Sequence, residues 1–239
     1  MARQYNQHWK EIAMIPLRDE IKSHRFPLIN TLIILLNIMV FVYSWFLAPE
    51  DITNLVNQYA FIPSNFLSAP TNLINIRNMF TAMFLHAGIL HLGGNMLYLW
   101  IFGDNVEDVL GHLPYLFFYL VGGIVATLAH VFTNPGSSIP TVGASGAIAA
   151  VLGAYLVLYP QSRILTFIPI GFFLLLRMIP AAVVLLVWFI LQLFQGVLAL
   201  GGPDIGGTAF WAHIGGFVFG VICALIFMKP RQARQRRRW

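Results

Sequence analysis

Residues 141–155 read TVGASGAIAAVLGAY, and Ser145 stands in them among small neighbours at the start of an apolar run. A serine becomes a nucleophile when a base takes its proton, and histidine is the usual base. The candidate base is His213, in AFWAHIGGFVFG near the start of the last apolar run. A third polar group lies in HAGILHLGGN, where His91 and Asn95 are four residues apart. That spacing puts both on one helical face. Side chains with N–H groups can stabilise the oxyanion that forms when a serine attacks a carbonyl. His86 precedes His91 by five residues. Taken singly, Ser145 fits a packing position or a helix cap, and His213 fits a satisfied interface histidine.

The elements that must position these groups are membrane helices. The chain has 239 residues, is 58% hydrophobic and carries only 10% charged residues. Its mean hydropathy is +0.75. Soluble domains carry about 25% charged residues, so a membrane protein is expected. The net charge is +5, yet 11 of the 14 Lys and Arg lie before Phe26 or after Met228. Basic ends around an apolar middle read as membrane flanks, not as a nucleic-acid surface. One cysteine, Cys223, excludes intramolecular disulfides and cysteine-rich metal sites.

A spanning helix needs about 20 mostly apolar residues. Six spans are expected: Pro27–Leu47, Met79–Phe102, Leu113–Phe132, Ser145–Tyr159, Pro180–Leu200 and Ala209–Met228. The stretch RILTFIPIGFFLLLRMIP, with Pro169 and Gly171, is expected to be interfacial or re-entrant. Arg3, Lys10, Arg18, Lys22 and Arg25 precede the first span, and six cations follow the last. The positive-inside rule then puts both ends in the cytoplasm, which an even span count satisfies. The domains are a cytoplasmic segment 1–26, a membrane domain 27–228 and a basic tail 229–239. The connection Ala48–Asn78 is long and weakly periodic; such loops are usually functional or flexible.

Spans two, four and six then begin at the outer face. This puts His91, Asn95, Ser145 and His213 at one depth, although none of them was used to set the topology. Ser145, Ala149 and Gly153 form a small-residue face, and so do Ala212, Gly216 and Gly220. Small-xxx-small faces let helices approach closely, which would bring Ser145 within reach of His213. None of the nine acids lies inside a span near the outer face, although Asp204 sits in the last outer loop. A Ser-His dyad is therefore expected, with His91, Asn95 and the Ser145 amide as oxyanion donors. The Asp104, Glu107 and Asp108 cluster reads as a solvated turn or a helix cap.

With GASG at Ser145, AHIGG at His213, HAGILHLGGN at His86, His91 and Asn95, and FGDNVED after span two, the chain resembles the rhomboid intramembrane serine proteases over most of its length. The resemblance implies an all-α bundle of six helices. It also implies cleavage of single-span membrane proteins near the outer face through an acyl-enzyme, with no cofactor or metal. His86 and Gly143 are then expected to shape the substrate cavity. Some members stack a tyrosine, one turn after the nucleophile, under the histidine. Ala149 takes that place here, leaving Phe210, Trp211 or Phe217 to support the ring. Some also carry a Trp-Arg pair in the first outer loop, where this chain has Ile76-Arg77.

Two other classes fit part of the pattern. One is a metal enzyme using His86, His91 and His213, although HExxH is absent. The other is a non-catalytic rhomboid relative that binds transmembrane helices; such relatives lose the serine or the histidine. A short chain with no added soluble domain is expected in a bacterial or archaeal plasma membrane.

Overall fold

The computed structural model describes residues 14–170, 173–200 and 208–228. The expected basic tail, Asp204, Gly171 and the N-terminal cations Arg3 and Lys10 lie outside them. The chain runs through β1 (Ile15–Asp19), α1 (Leu28–Trp45), α2 (Pro49–Tyr59), α3 (Pro63–Ser68) and α4 (Leu73–Thr81). A single 3-10 turn (Ala82–Phe84) leads to α5 (Ile89–Leu110), α6 (His112–Thr133) and α7 (Ser145–Leu158). The strands β2 (Arg163–Ile170) and β3 (Phe173–Pro180) follow, then α8 (Ala181–Ala199) and α9 (Phe210–Phe227).

Among the described residues four helices, α1, α6, α8 and α9, are long and apolar enough to cross a membrane, and α4 with α5 would make a fifth if counted as one bent span. Helix α7 has 14 residues, about 21 Å at 1.5 Å per residue. That is shorter than a bilayer core of about 30 Å. It is also the innermost helix, with ten of its residues buried. The other long helices enclose it and present Leu32, Phe117, Ile190 and Leu225 outward.

Three expectations are corrected. The span Met79–Phe102 is not one helix: α4 and α5 meet at 83°. The Ala82 carbonyl accepts the Gly143 amide at 2.8 Å as well as the Leu85 amide at 3.4 Å, which closes the 3-10 turn. Leu85 and Gly88 are extended. The connection Ala48–Asn78 is ordered into α2, α3 and most of α4. Arg77 donates to the Gln58 carbonyl and its guanidinium lies 4.7 Å from the Tyr59 ring centroid. Asn78 donates to the Ala60 carbonyl at 2.9 Å.

The third correction is to the all-α class. The fold is mostly helical but holds a three-stranded antiparallel sheet in the order β1-β2-β3. The segment read as interfacial or re-entrant forms β2 and β3, with Pro169 opposite Leu174. Its Ile and Thr residues suit a pleated surface, and an apolar run broken by Pro169 and Gly171 supplies two strands more readily than one span. Strand β1 pairs with β2, Ile15 facing Phe167.

Polar ties hold this end of the bundle. Tyr155 on α7 donates to Asp19 Oδ2 at 2.7 Å, and Asn105 on α5 donates to the same oxygen at 2.9 Å. Burial pushes the Asp19 carboxyl up to about 6. Glu107 is 2% exposed. Its carboxylate accepts the Ile29 and Asn30 amides at 2.9 and 2.8 Å, satisfying first-turn donors of α1. Asp108 is buried as well, so the acidic cluster is no solvated turn, and Glu107 caps a helix other than its own. Tyr115 donates to Asn30 Oδ1 at 2.8 Å. A Cβ at Gly103 would overlap Asn30, which accounts for that glycine.

Candidate active site

The site is assembled at one end of α5, α7 and α9. The chain enters α7 through a segment tied at two points. Phe61 and Thr141 exchange backbone hydrogen bonds of 3.1 and 2.7 Å, and the Gly143 amide bonds Ala82. Gly143 has φ 125°, a region that favours glycine. A Cβ there would also lie 2.8 Å from Cε1 and Nε2 of His91. Ser145 is then the first residue of α7, where backbone N–H groups lack intrahelical partners.

Close helix packing brings the base. A Cβ at Gly216 would overlap the Gly146 carbonyl, one at Gly220 the Ala150 carbonyl, and one at Gly153 the Phe217 carbonyl. The two small-residue faces read from the sequence therefore meet. The result is a contact of 2.7 Å between Ser145 Oγ and His213 Nε2. His213 is buried.

His91 and Asn95 stand across from this pair. Asn95 Nδ2 is 3.8 Å from the Cβ position of Gly143. Asn95 is buried and, among the described residues, its Nδ2 has no partner, so an unpaired donor lies beside Gly143. The His86 ring lies edge-on to His91, with centroids 5.1 Å apart. His86 also lines a cavity of about 300 Å³ with Phe41, Leu55, Leu85, Pro140 and Val142. All six expected residues, Ser145, His213, His91, Asn95, His86 and Gly143, thus gather in one region. The metal alternative fits poorly, since both His213 nitrogens are engaged, one by Ser145 and one by Gln192.

Two neighbours of His213 were not anticipated. Gln192 Oε1 lies 2.7 Å from His213 Nδ1. The Trp188 ring lies 5.8 Å from the His213 ring, tilted by 34°. Both come from α8. Of the residues expected to support the ring, Trp211 is turned away, donating to the Gly196 carbonyl at 3.1 Å. Phe217 acts at one remove, against Trp188 at 5.9 Å. The rule that marks polar residues inside spans applied to Gln192, but also to Gln195 beside it, and only the fold separates the two.

Residues 75–230 match the rhomboid domain. The chain belongs to the rhomboid family. It is 30% identical over 170 residues to presenilin-associated rhomboid-like protein A, mitochondrial, of Danio rerio, covering 67% of this chain and 40% of the relative. It is 27% identical to RHOMBOID-like protein 1 of Arabidopsis thaliana, over 85% of this chain and 54% of that protein. It is 26% identical to Rhomboid protein 1, mitochondrial, of Saccharomyces cerevisiae, over 87% and 56%. The chain spans about half the length of these relatives. The expected bacterial or archaeal plasma membrane is overturned by the two that are mitochondrial. That expectation rested on chain length, which carries no information about compartment.

Proposed function

We propose that this rhomboid protein is a serine endopeptidase that cleaves single-span membrane proteins within the bilayer. The observation that carries the reading is the 2.7 Å contact between Ser145 Oγ and His213 Nε2 in a buried setting. His213 takes the hydroxyl proton as Ser145 attacks the scissile carbonyl. The oxyanion is met by Asn95 Nδ2, the His91 ring and the Ser145 amide. His213 then returns the proton to the leaving amine, and water hydrolyses the acyl-enzyme. His86 and Gly143 shape the space that receives substrate.

The proposal includes the membrane arrangement: α1, α5, α6, α7, α8 and α9 as six passes, both chain ends on one side, and the site near the opposite face. The rival reading is a rhomboid relative that binds transmembrane helices without cutting them. Retention of Ser145 and His213 in contact supports the protease.

The test is incubation of the purified protein in lipid vesicles with a single-span substrate, with the cut located by mass spectrometry. The expected result is one cut near the end of the substrate helix, and a loss of at least about 10³-fold in Ser145→Ala. Substrate that co-purifies with the protein yet stays whole would favour the binder.

A further inference from the structure

Helix α8 is apolar and turns Leu186, Ile190, Phe194 and Val197 outward. A glutamine in such a helix is costly unless it is paired, and Gln192 is paired with His213. Trp188, one turn earlier on the same face, lies against the same ring. One helix thus holds the imidazole from two directions.

A neutral imidazole carries its proton on one nitrogen. Ser145 can give up its proton only to an Nε2 that is free to accept, which requires the proton to sit on Nδ1. An acceptor facing Nδ1 selects that form, and Gln192 Oε1 is placed as that acceptor at 2.7 Å. The geometry points to Gln192 as a positioning residue that fixes the tautomer and orientation of His213, forming a Ser145–His213–Gln192 relay with an amide where a triad holds an acid. The inference rests on the proteolytic reading. The amide bears no charge, so it orients the neutral ring without the added stabilisation a carboxylate gives the imidazolium. Among the described residues, the titratable groups that face His213 from the helices packed against it are His91 on α5 and His130 on α6, while the α5 acids Asp104, Glu107 and Asp108 lie toward its opposite end from His91.

The test measures kcat, KM and the pH profile of kcat/KM for wild type, Gln192→Leu and Gln192→Glu in vesicles with the same single-span substrate. Gln192→Leu should lose roughly 10–100-fold in kcat with KM little changed, the effect of one lost hydrogen bond acting on a reacting group. Gln192→Glu keeps an acceptor and should recover activity above Gln192→Leu. Its carboxylate favours the protonated ring, so the acid limb of its profile should move to higher pH. A residue that only packs α8 would not move that limb. Gln192→Leu at wild-type kcat would overturn the relay, as would a Gln192→Glu acid limb lying on that of wild type. Should Gln192→Leu fail to fold, the Gln192→Glu profile decides. A wild-type protein that does not cleave would remove the proteolytic reading and the relay together, a result distinct from an active enzyme indifferent to Gln192.

Discussion

Among the described residues, Asn95 Nδ2 is a buried donor without a partner, an arrangement that costs stability unless something is meant to occupy it. The developing oxyanion is that occupant in the proposed reaction. Loss of one oxyanion donor costs about 10²–10³ in turnover. Asn95→Ala should therefore lose kcat by that factor with KM nearly unchanged, since the charge exists only in the transition state. Raised KM at unchanged kcat in steady-state cleavage assays would make Asn95 a substrate contact instead. That Ser145, His213, His91 and Asn95 come together was legible because they stand near the starts of three helices that begin at one end of the bundle. Gln192 was not, because two glutamines lie three residues apart in α8 and sequence does not say which one meets His213. Trp188 was hidden for a related reason: among so many apolar residues, an aromatic in a span carries no signal of its own.

At the scale of elements, the site depends on how closely α7 and α9 approach. Gly216 faces the Gly146 carbonyl, next to Ser145 in the chain, with no room for a Cβ. Gly216→Ala raises helix propensity but must push backbone against backbone, moving His213 relative to Ser145. A misplacement of about 1 Å can cost about 10²-fold. The variant should lose turnover on that scale while far-ultraviolet circular dichroism stays helical; unchanged turnover would mean the interface yields elsewhere. Five of the six expected spans match helices to within two residues at each end, because each is an apolar run bounded by polar, Gly or Pro residues. The break before α5 was not legible in the apolar run, and one of its contacts, the Gly143 amide on the Ala82 carbonyl, comes from about 60 residues later. The sheet was missed because residues 163–180 are apolar on both faces and show no clean alternation. The partner strand β1 also lies more than 140 residues earlier, beyond any local pattern.

Taken whole, the molecule separates its two ends. One carries the serine and histidine and the ordered α2–α4 connection. The other carries the sheet, with Asp19 tied to Tyr155 and Asn105, and the α1 cap on Glu107. In a Cys223→Ala background, a cysteine at exposed Gly136 should react with an impermeant thiol reagent from the face that holds the site. A cysteine at exposed Lys22, beside the sheet, should react only from the other. Labelling of both from one side would overturn the proposed six passes.

The central claim is that Ser145 is a nucleophile activated by His213, and active-site labelling meets it most directly. The purified protein is treated with a fluorophosphonate, and the modified residue is located by mass spectrometry. Covalent label is expected on Ser145, none in Ser145→Ala, and labelling slowed by orders of magnitude in His213→Ala. Label on a different serine, or an undiminished rate in His213→Ala, would contradict it.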